Sequence, residues 1–127
     1  MWTFHQDTGR EFDENGILQA RGYAGRNAGK NNPAMEGVKG IGPLPRGRYR
    51  GVELFEVHPT VGKYAIRLEP DAETRARIIA YGRNPDSFFN HGDSSEHPGL
   101  ASHGCIVTYK PARVKFWTTT DRWIEVV

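Results

Sequence analysis

Hydrophobic and polar positions alternate along this chain in short bursts broken by glycine, proline and asparagine, so period two dominates over period 3.6. Trp2 and Phe4 alternate with polar neighbours and predict a first strand, after which "DTG" turns the chain. "REF" and "ILQARGY" flank "ENG", whose Asn15–Gly16 pair predicts a type I′ hairpin. "GRYRGVELFEV" and "KYAIRLE" alternate as two further strands, and "RWIEVV" predicts a last one. "DSFFNHG" and "GCIVTY" predict buried strands that bracket a polar, His-rich loop. Helical pattern is confined to two places. "DAETRARIIA" has Asp71 near its start, and in "PARVKFW" Pro111 suits a first helical position. Tyr23–Pro45 has no convincing period and many turn formers, and predicts a long ordered loop near the functional cleft. Asn31, Asn32 and Pro33 would fix its path, since Asn side chains mimic turn backbone and Pro locks φ. The fold class is therefore mainly β, a compact sandwich or barrel-like sheet with one or two short helices and long ordered loops. No repeat, low-complexity tract or boundary divides residues 1–127, which predicts a single domain.

Composition narrows the function classes. A 37% hydrophobic content with 11% aromatic residues is too rich for a disordered chain and too poor for a membrane protein. No apolar run approaches the ~20 residues of a membrane span. The start, "MWTFHQDTGREFDENG", lacks a basic n-region and an apolar h-region, which predicts no secretory signal peptide. The 17 basic and 15 acidic side chains are spread without blocks, which argues against a nucleic-acid surface. One cysteine permits no internal disulfide and leaves a thiol free for chemistry.

That thiol, Cys105, lies in "FFNHGDSSEHPGLASHGCIVTY" with three histidines, one aspartate and one glutamate. A lone cysteine before "IV" is ordinarily a small buried hydrophobe. The preceding "SHG" adds a hydroxyl, an imidazole and a residue without Cβ, none of which a core needs. His91, Asp93, His97, His103 and Cys105 are all possible zinc ligands, but their spacing fits no strong metal pattern, and no metal or other cofactor is expected. The remaining reading is a cysteine nucleophile with a histidine base. Cys105 begins one candidate strand and His91 ends another, so pairing of the two strands would bring both side chains together. The base needs a third group on its other nitrogen, which either the Gly92 carbonyl or the Asp93 carboxylate can supply. His103, two residues before the cysteine, is the poorer base and is expected to shape the pocket. Gly104 lets backbone approach a substrate closely, and N–H groups around it could face a developing oxyanion. A His-paired thiolate would react with iodoacetamide at pH 6–7 much faster than free cysteine.

"ASHGCIV", preceded by "NHGD", resembles the His…Ser-His-Gly-Cys signature of L,D-transpeptidase (YkuD-type) catalytic domains. "GYAGRNAGKNNP", "GIGPLPRGRY", "LEP", "YGRNPDSFFNHGD" and "ASHGCIV" occur in the order of the DUF2778 branch, which includes the Tlde1-type effectors of bacterial type VI secretion. The resemblance spans nearly the whole chain. It implies a YkuD-like β-sandwich and a cysteine L,D-carboxypeptidase or L,D-transpeptidase acting on peptidoglycan stem peptides. It also implies Cys105 as nucleophile, His91 as base, the Gly92 carbonyl as its orienting group, the Gly104 and Cys105 amides as oxyanion hole, and Ser102 and His103 lining the pocket. Two departures matter. The interval from His91 to Cys105 is shorter than in cross-linking members, which implies a reduced lid and a more open cleft. Val107 also stands where such members carry Arg or Asn, and Arg83 and Asp93 are expected to take over binding of the zwitterionic stem end. Without a leader, such an enzyme would be made in the cytoplasm and delivered to the periplasm of a target bacterium. A cognate immunity protein and a secretion-apparatus protein are its implied partners. A phage-encoded or housekeeping wall enzyme is the alternative within the family. Papain-like peptidases place Cys before His, and sortases carry a Thr-Leu-x-Thr-Cys strand absent here. The non-enzymatic alternative is a wall-binding β module with a structural cysteine.

Overall fold

The computed structural model describes residues 1–127 and is mainly β. Nine strands form one sheet: β1 (Trp2–Phe4), β2 (Arg10–Phe12), β3 (Leu18–Arg21), β4 (Tyr23–Ala24), β5 (Gly47–His58), β6 (Gly62–Pro70), β7 (Phe89–His91), β8 (Ile106–Val107) and β9 (Trp123–Val126). Two short helices, α1 (Ala72–Ala80) and α2 (Lys110–Trp117), complete it. The spatial order is β3-β2-β1-β9-β5-β6-β7-β8-β4. Both edge strands, β3 and β4, are adjacent in sequence with only Gly22 between them, so the sheet must curl until its ends meet. Close backbone approach makes that possible. The Gly22 N–H donates to the Gly9 carbonyl at 2.7 Å. A Cβ at Gly22 would lie 1.9 Å from the Val107 carbonyl oxygen, so no side chain fits there. The barrel-like form expected from the sequence is thus reached by one curled sheet, and curling hides most of the edge that an open sheet would expose.

The curled sheet wraps a core of 13 buried residues, among them Trp2, Tyr49, Ile66, Ile106, Phe116 and Ile124. α2 enters this core through Phe116, whose ring meets Trp2 edge-on at 5.2 Å. α1 starts where expected, because the Asp71 carboxylate accepts the Thr74 N–H at 2.9 Å. No helix is long and apolar enough to cross a membrane.

Two local expectations change. The β2–β3 hairpin forms, but only Gly16 has a positive φ (76°), whereas a type I′ turn needs two such residues in succession. Asp13 takes control instead: its Oδ1 accepts the amides of Asn15 (2.9 Å) and Ile17 (3.0 Å), which widens the turn. Tyr23–Pro45 is ordered, but it opens as strand β4 and contains two 3₁₀ turns, Asn27–Gly29 and Pro33–Met35. The asparagines act as expected. Asn31, at φ 50°, accepts the Ala24 N–H at 3.0 Å, and Asn32 caps the second turn through the Ala34 N–H at 3.1 Å.

β7 and β8 lie side by side and parallel, with Asn90 opposite Ile106 and His91 opposite Val107. Alternation therefore sends Asn90 and Ile106 into the core, and places Phe89, His91, Cys105 and Val107 on the other face. The long β5–β6 hairpin reaches over that face. Phe55 and His58 pack on Phe89 with ring centres 6.0 and 4.9 Å apart.

Candidate active site

His91 ends β7 with its ring almost fully buried. Its Nδ1 lies 2.8 Å from the Gly92 carbonyl, which can only accept, so Nδ1 carries the proton and Nε2 is left with its lone pair free. The Gly92 carbonyl rather than the Asp93 carboxylate is the orienting group in this geometry. Burial disfavours the imidazolium and, despite the Gly92 carbonyl bond, holds His91 below the ordinary histidine pKa; the nearby Arg113 cation adds to the effect.

Cys105 immediately precedes β8, 9% exposed. Its thiol donates to the Ser87 carbonyl at 3.6 Å and accepts from the Phe89 N–H at 3.3 Å. Burial pushes the thiol up to about 11, although the Phe89 amide and the Arg83 cation pull the other way. The resting site therefore holds an uncharged thiol and an uncharged imidazole on one sheet face. No hydrogen bond joins them: sulfur and ring share a face, but the thiol is turned toward Ser87.

The turn that presents Cys105 hangs on one hydroxyl. Ser102 is fully buried; its Oγ accepts the amides of Gly25 (2.9 Å) and Gly104 (3.0 Å) and donates to the Cys105 carbonyl (2.6 Å). Ser102 thus braces the pocket from behind and has no surface to offer a ligand. The Gly104 N–H, expected in an oxyanion hole, is spent on Ser102. The Cys105 N–H has no acceptor in any other residue and faces its own sulfur. Gly104 is required for another reason. Its φ is +139°, and a Cβ there would lie 2.3 Å from the Arg83 guanidinium.

Arg83 does not reach solvent as a stem-end anchor would. It is 6% exposed and donates to the carbonyls of Glu36, Pro43, Gly42 and His103. Its work is to tie Gly42–Pro43 and the His103–Gly104 turn together behind the thiol. Asp93 is exposed but also occupied: its carboxylate accepts from the Tyr23 hydroxyl at 2.6 Å and from the Ser94 and Gly99 amides. It folds the 93–99 loop and pins it to β4. Burial raises its pKa, but the Tyr23 and Gly99 bonds outweigh this and leave it below the usual value.

His91 opens onto a groove of about 600 Å³ between the 93–101 loop and the Thr60–Gly62 hairpin tip. His103 lines it, exposed, with Nε2 accepting from the Arg26 guanidinium at 3.2 Å. His97 lines it too, yet no three His, Cys, Asp or Glu side chains gather as metal ligands. Sequence reasoning passed over Arg26, and it passed over Arg113. Arg113 is buried on α2 and donates to the carbonyls of Tyr64, Thr108 and Lys63 beside Gly92. The "GYAGRNAGK" motif was the available signal for Arg26; Arg113 had none.

A family model, the Tlde1 domain, matches residues 19–123, which takes in every residue of this site. No curated protein matches the chain.

Proposed function

Since the chain belongs to the Tlde1-domain family, a domain of type VI secretion effectors, we propose that it is an antibacterial cysteine enzyme that trims peptidoglycan tetrapeptide stems. One observation carries the reading. His91 lines a groove, is fixed as the tautomer with Nε2 free, and shares a sheet face with the protein's single thiol. An imidazole held this way is a base with its lone pair free, and Cys105 presents a thiol on the same sheet face.

The chemistry follows from these positions. The Cys105 thiol rotates from Ser87 toward His91, and its proton passes to Nε2 as sulfur attacks the carbonyl carbon on the L-centre side of an L,D bond. Charge builds on the carbonyl oxygen, toward which the Cys105 N–H is free to donate. The His91 imidazolium then protonates the departing amine, the C–N bond breaks, and a thioester remains. Water, deprotonated by Nε2, attacks the thioester and returns the thiol, giving an L,D-carboxypeptidase. A free D-amino acid attacking instead gives exchange, an L,D-transpeptidase reaction. Partial charges on thiolate and imidazolium arise only during the reaction, in a site that burial has made costly for them. The approach of the two charges to each other offsets that cost.

As an effector, the protein would act in the periplasm of a target bacterium, with a cognate immunity protein protecting the producer. Digestion of purified tetrapeptide muropeptides, with and without a free D-amino acid, tests the reaction. Tripeptide product and exchanged tetrapeptide are expected, and both should vanish in Cys105→Ala and His91→Ala. Intact muropeptides after prolonged incubation with the folded protein would refute the reading.

A further inference from the structure

Arg26 is the one arginine that lines the His91 groove, and it has no acidic partner. Only one of its guanidinium N–H groups is engaged, by His103 Nε2 at 3.2 Å, which leaves the rest of a planar donor fork open. The other cations near the site are engaged differently: Arg83 and Arg113 are buried and donate to main-chain carbonyls, and Lys30 lies over the Tyr23 ring and reaches the Gly99 carbonyl. Asp93, the acid of the groove nearest His91 in sequence, is occupied by the Tyr23 hydroxyl and two amides.

The backbone that carries Arg26 is also fixed relative to the Cys105 turn. The Arg26 N–H donates to the Ile41 carbonyl at 2.8 Å. Its neighbour Gly25 has φ +85°, with its would-be Cβ 2.6 Å from two carbonyl oxygens, so the backbone here admits little movement. The Gly25 amide rests on the same Ser102 hydroxyl that holds the Gly104 amide and the Cys105 carbonyl. One buried hydroxyl therefore sets the Arg26 segment and the nucleophile turn against each other.

We propose that Arg26 is a substrate-recognition residue that binds the free α-carboxylate of the departing terminal D-residue, a proposal that rests on the stem-peptide reading above. In a terminal L,D bond that carboxylate is one carbon beyond the scissile nitrogen. A bidentate guanidinium–carboxylate pair would hold the bond near Cys105. When the same D-residue is cross-linked, its carboxyl is an uncharged amide and the pair cannot form. Arg26 thereby selects free stem ends over cross-links, and makes the enzyme a trimmer.

The test titrates the Cys105→Ala protein calorimetrically with a stem tetrapeptide as the free acid and as its C-terminal amide. The acid should bind about tenfold tighter or more, as expected for a charge-assisted bidentate pair. Adding Arg26→Ala should abolish the difference by weakening the acid alone, and Arg26→Lys should restore part of it. Equal binding of acid and amide, equal weakening of both by Arg26→Ala, or no binding of either overturns the proposal. Turnover of the same two peptides by the Cys105 protein separates this from the reaction itself. Equal kcat/KM on acid and amide removes the role of Arg26 and keeps the peptidase. Discrimination in binding with no turnover keeps the role of Arg26 and removes the peptidase.

Discussion

His91 and Cys105 are both held uncharged by burial, and that sets their response to pH. Burial lowers His91 below its ordinary value, so Nε2 remains a free base through neutrality and into mild acid. Burial raises Cys105 to about 11, so the thiol keeps its proton well into alkali. The pair that the proposed reaction starts from, imidazole with thiol, therefore persists between those limits. We expect kcat/KM on a stem tetrapeptide to be flat from neutrality to about pH 9, falling on the acid side only below the usual histidine range of about 6.5. An alkaline limb near 8.5, the value of an unperturbed thiol, would show that the site does not keep the proton on sulfur. Iodoacetamide should accordingly alkylate Cys105 more slowly than free cysteine at pH 7, with a rate that climbs steeply at higher pH. This reverses what the His-Gly-Cys spacing suggests by itself, since spacing carries no information about burial. Sequence did place the two strands that carry His91 and Cys105 side by side, because two apolar runs bracketing a His-rich loop imply adjacent strands. It misplaced Arg83 and Ser102, which look solvent-facing in "YGRNPD" and "ASHG". The carbonyls and amides that claim them come from residues 25 and 36–43, far away in the chain.

At the scale of elements, the site depends on what lies beneath β7. Asn90, pointing into the core between Phe89 and His91, accepts from the Thr108 hydroxyl at 2.9 Å and donates to Glu11 of β2 at 3.4 Å. Glu11 is fully buried, and burial pushes its carboxyl to about 8, against an ordinary 4.5, although Asn90 and Arg113 pull it down. The folded protein thus keeps a proton on Glu11 that the unfolded chain has lost above 4.5. Stability should fall as pH rises from about 4.5 toward 8 and level off beyond, by an amount on the order of a few kcal/mol. Glutamine does not titrate, so Glu11→Gln should melt higher relative to wild type at pH 8 than at pH 5. A difference in Tm that is the same at both pH values would mean that the carboxyl is ionised throughout. The Ser102 brace offers a second check. Ser102→Ala strands two buried amides and a carbonyl, and should cost about 1–3 kcal/mol in denaturant unfolding. It should also lower kcat more than it raises KM, because the turn carrying the nucleophile loosens; an unchanged kcat would show that Ser102 only supports the fold. Strand existence was legible from alternation, and so was the capped α1. Strand order was not, because the chain turns from β3 into β4 and onto β8 through close contacts of Gly9 with Gly22 and of Gly22 with Val107, and a glycine in sequence does not say whose backbone it admits.

Over the whole molecule, curling of the sheet brings chain-distant parts to one groove: Arg26 after β4, the β5–β6 hairpin tip, His91 from β7 and His103 before β8. The groove holds about 600 Å³ and is walled on one side by the 93–99 loop, which Asp93 ties to Tyr23. That is room for one extended stem end and a small acceptor, water or a free D-amino acid. A second bulky stem would have to enter past the pinned loop. We expect tetrapeptide stems to become tripeptides, with D-amino-acid exchange when the free amino acid is supplied, and few new 3–3 cross-links. Releasing the loop with Tyr23→Phe, which removes the hydroxyl that Asp93 accepts from, should move the balance toward 3–3 products. Muropeptide profiles of both proteins decide this, and abundant 3–3 cross-links without tripeptide from the unaltered protein would overturn the size argument. Toxicity belongs to the same scale, because under the proposed function protein and wall must share a compartment. A periplasmic leader should make expression toxic, and cytoplasmic expression or the leader-bearing Cys105→Ala protein should not. Equal killing by either control would mean that the target is not the wall.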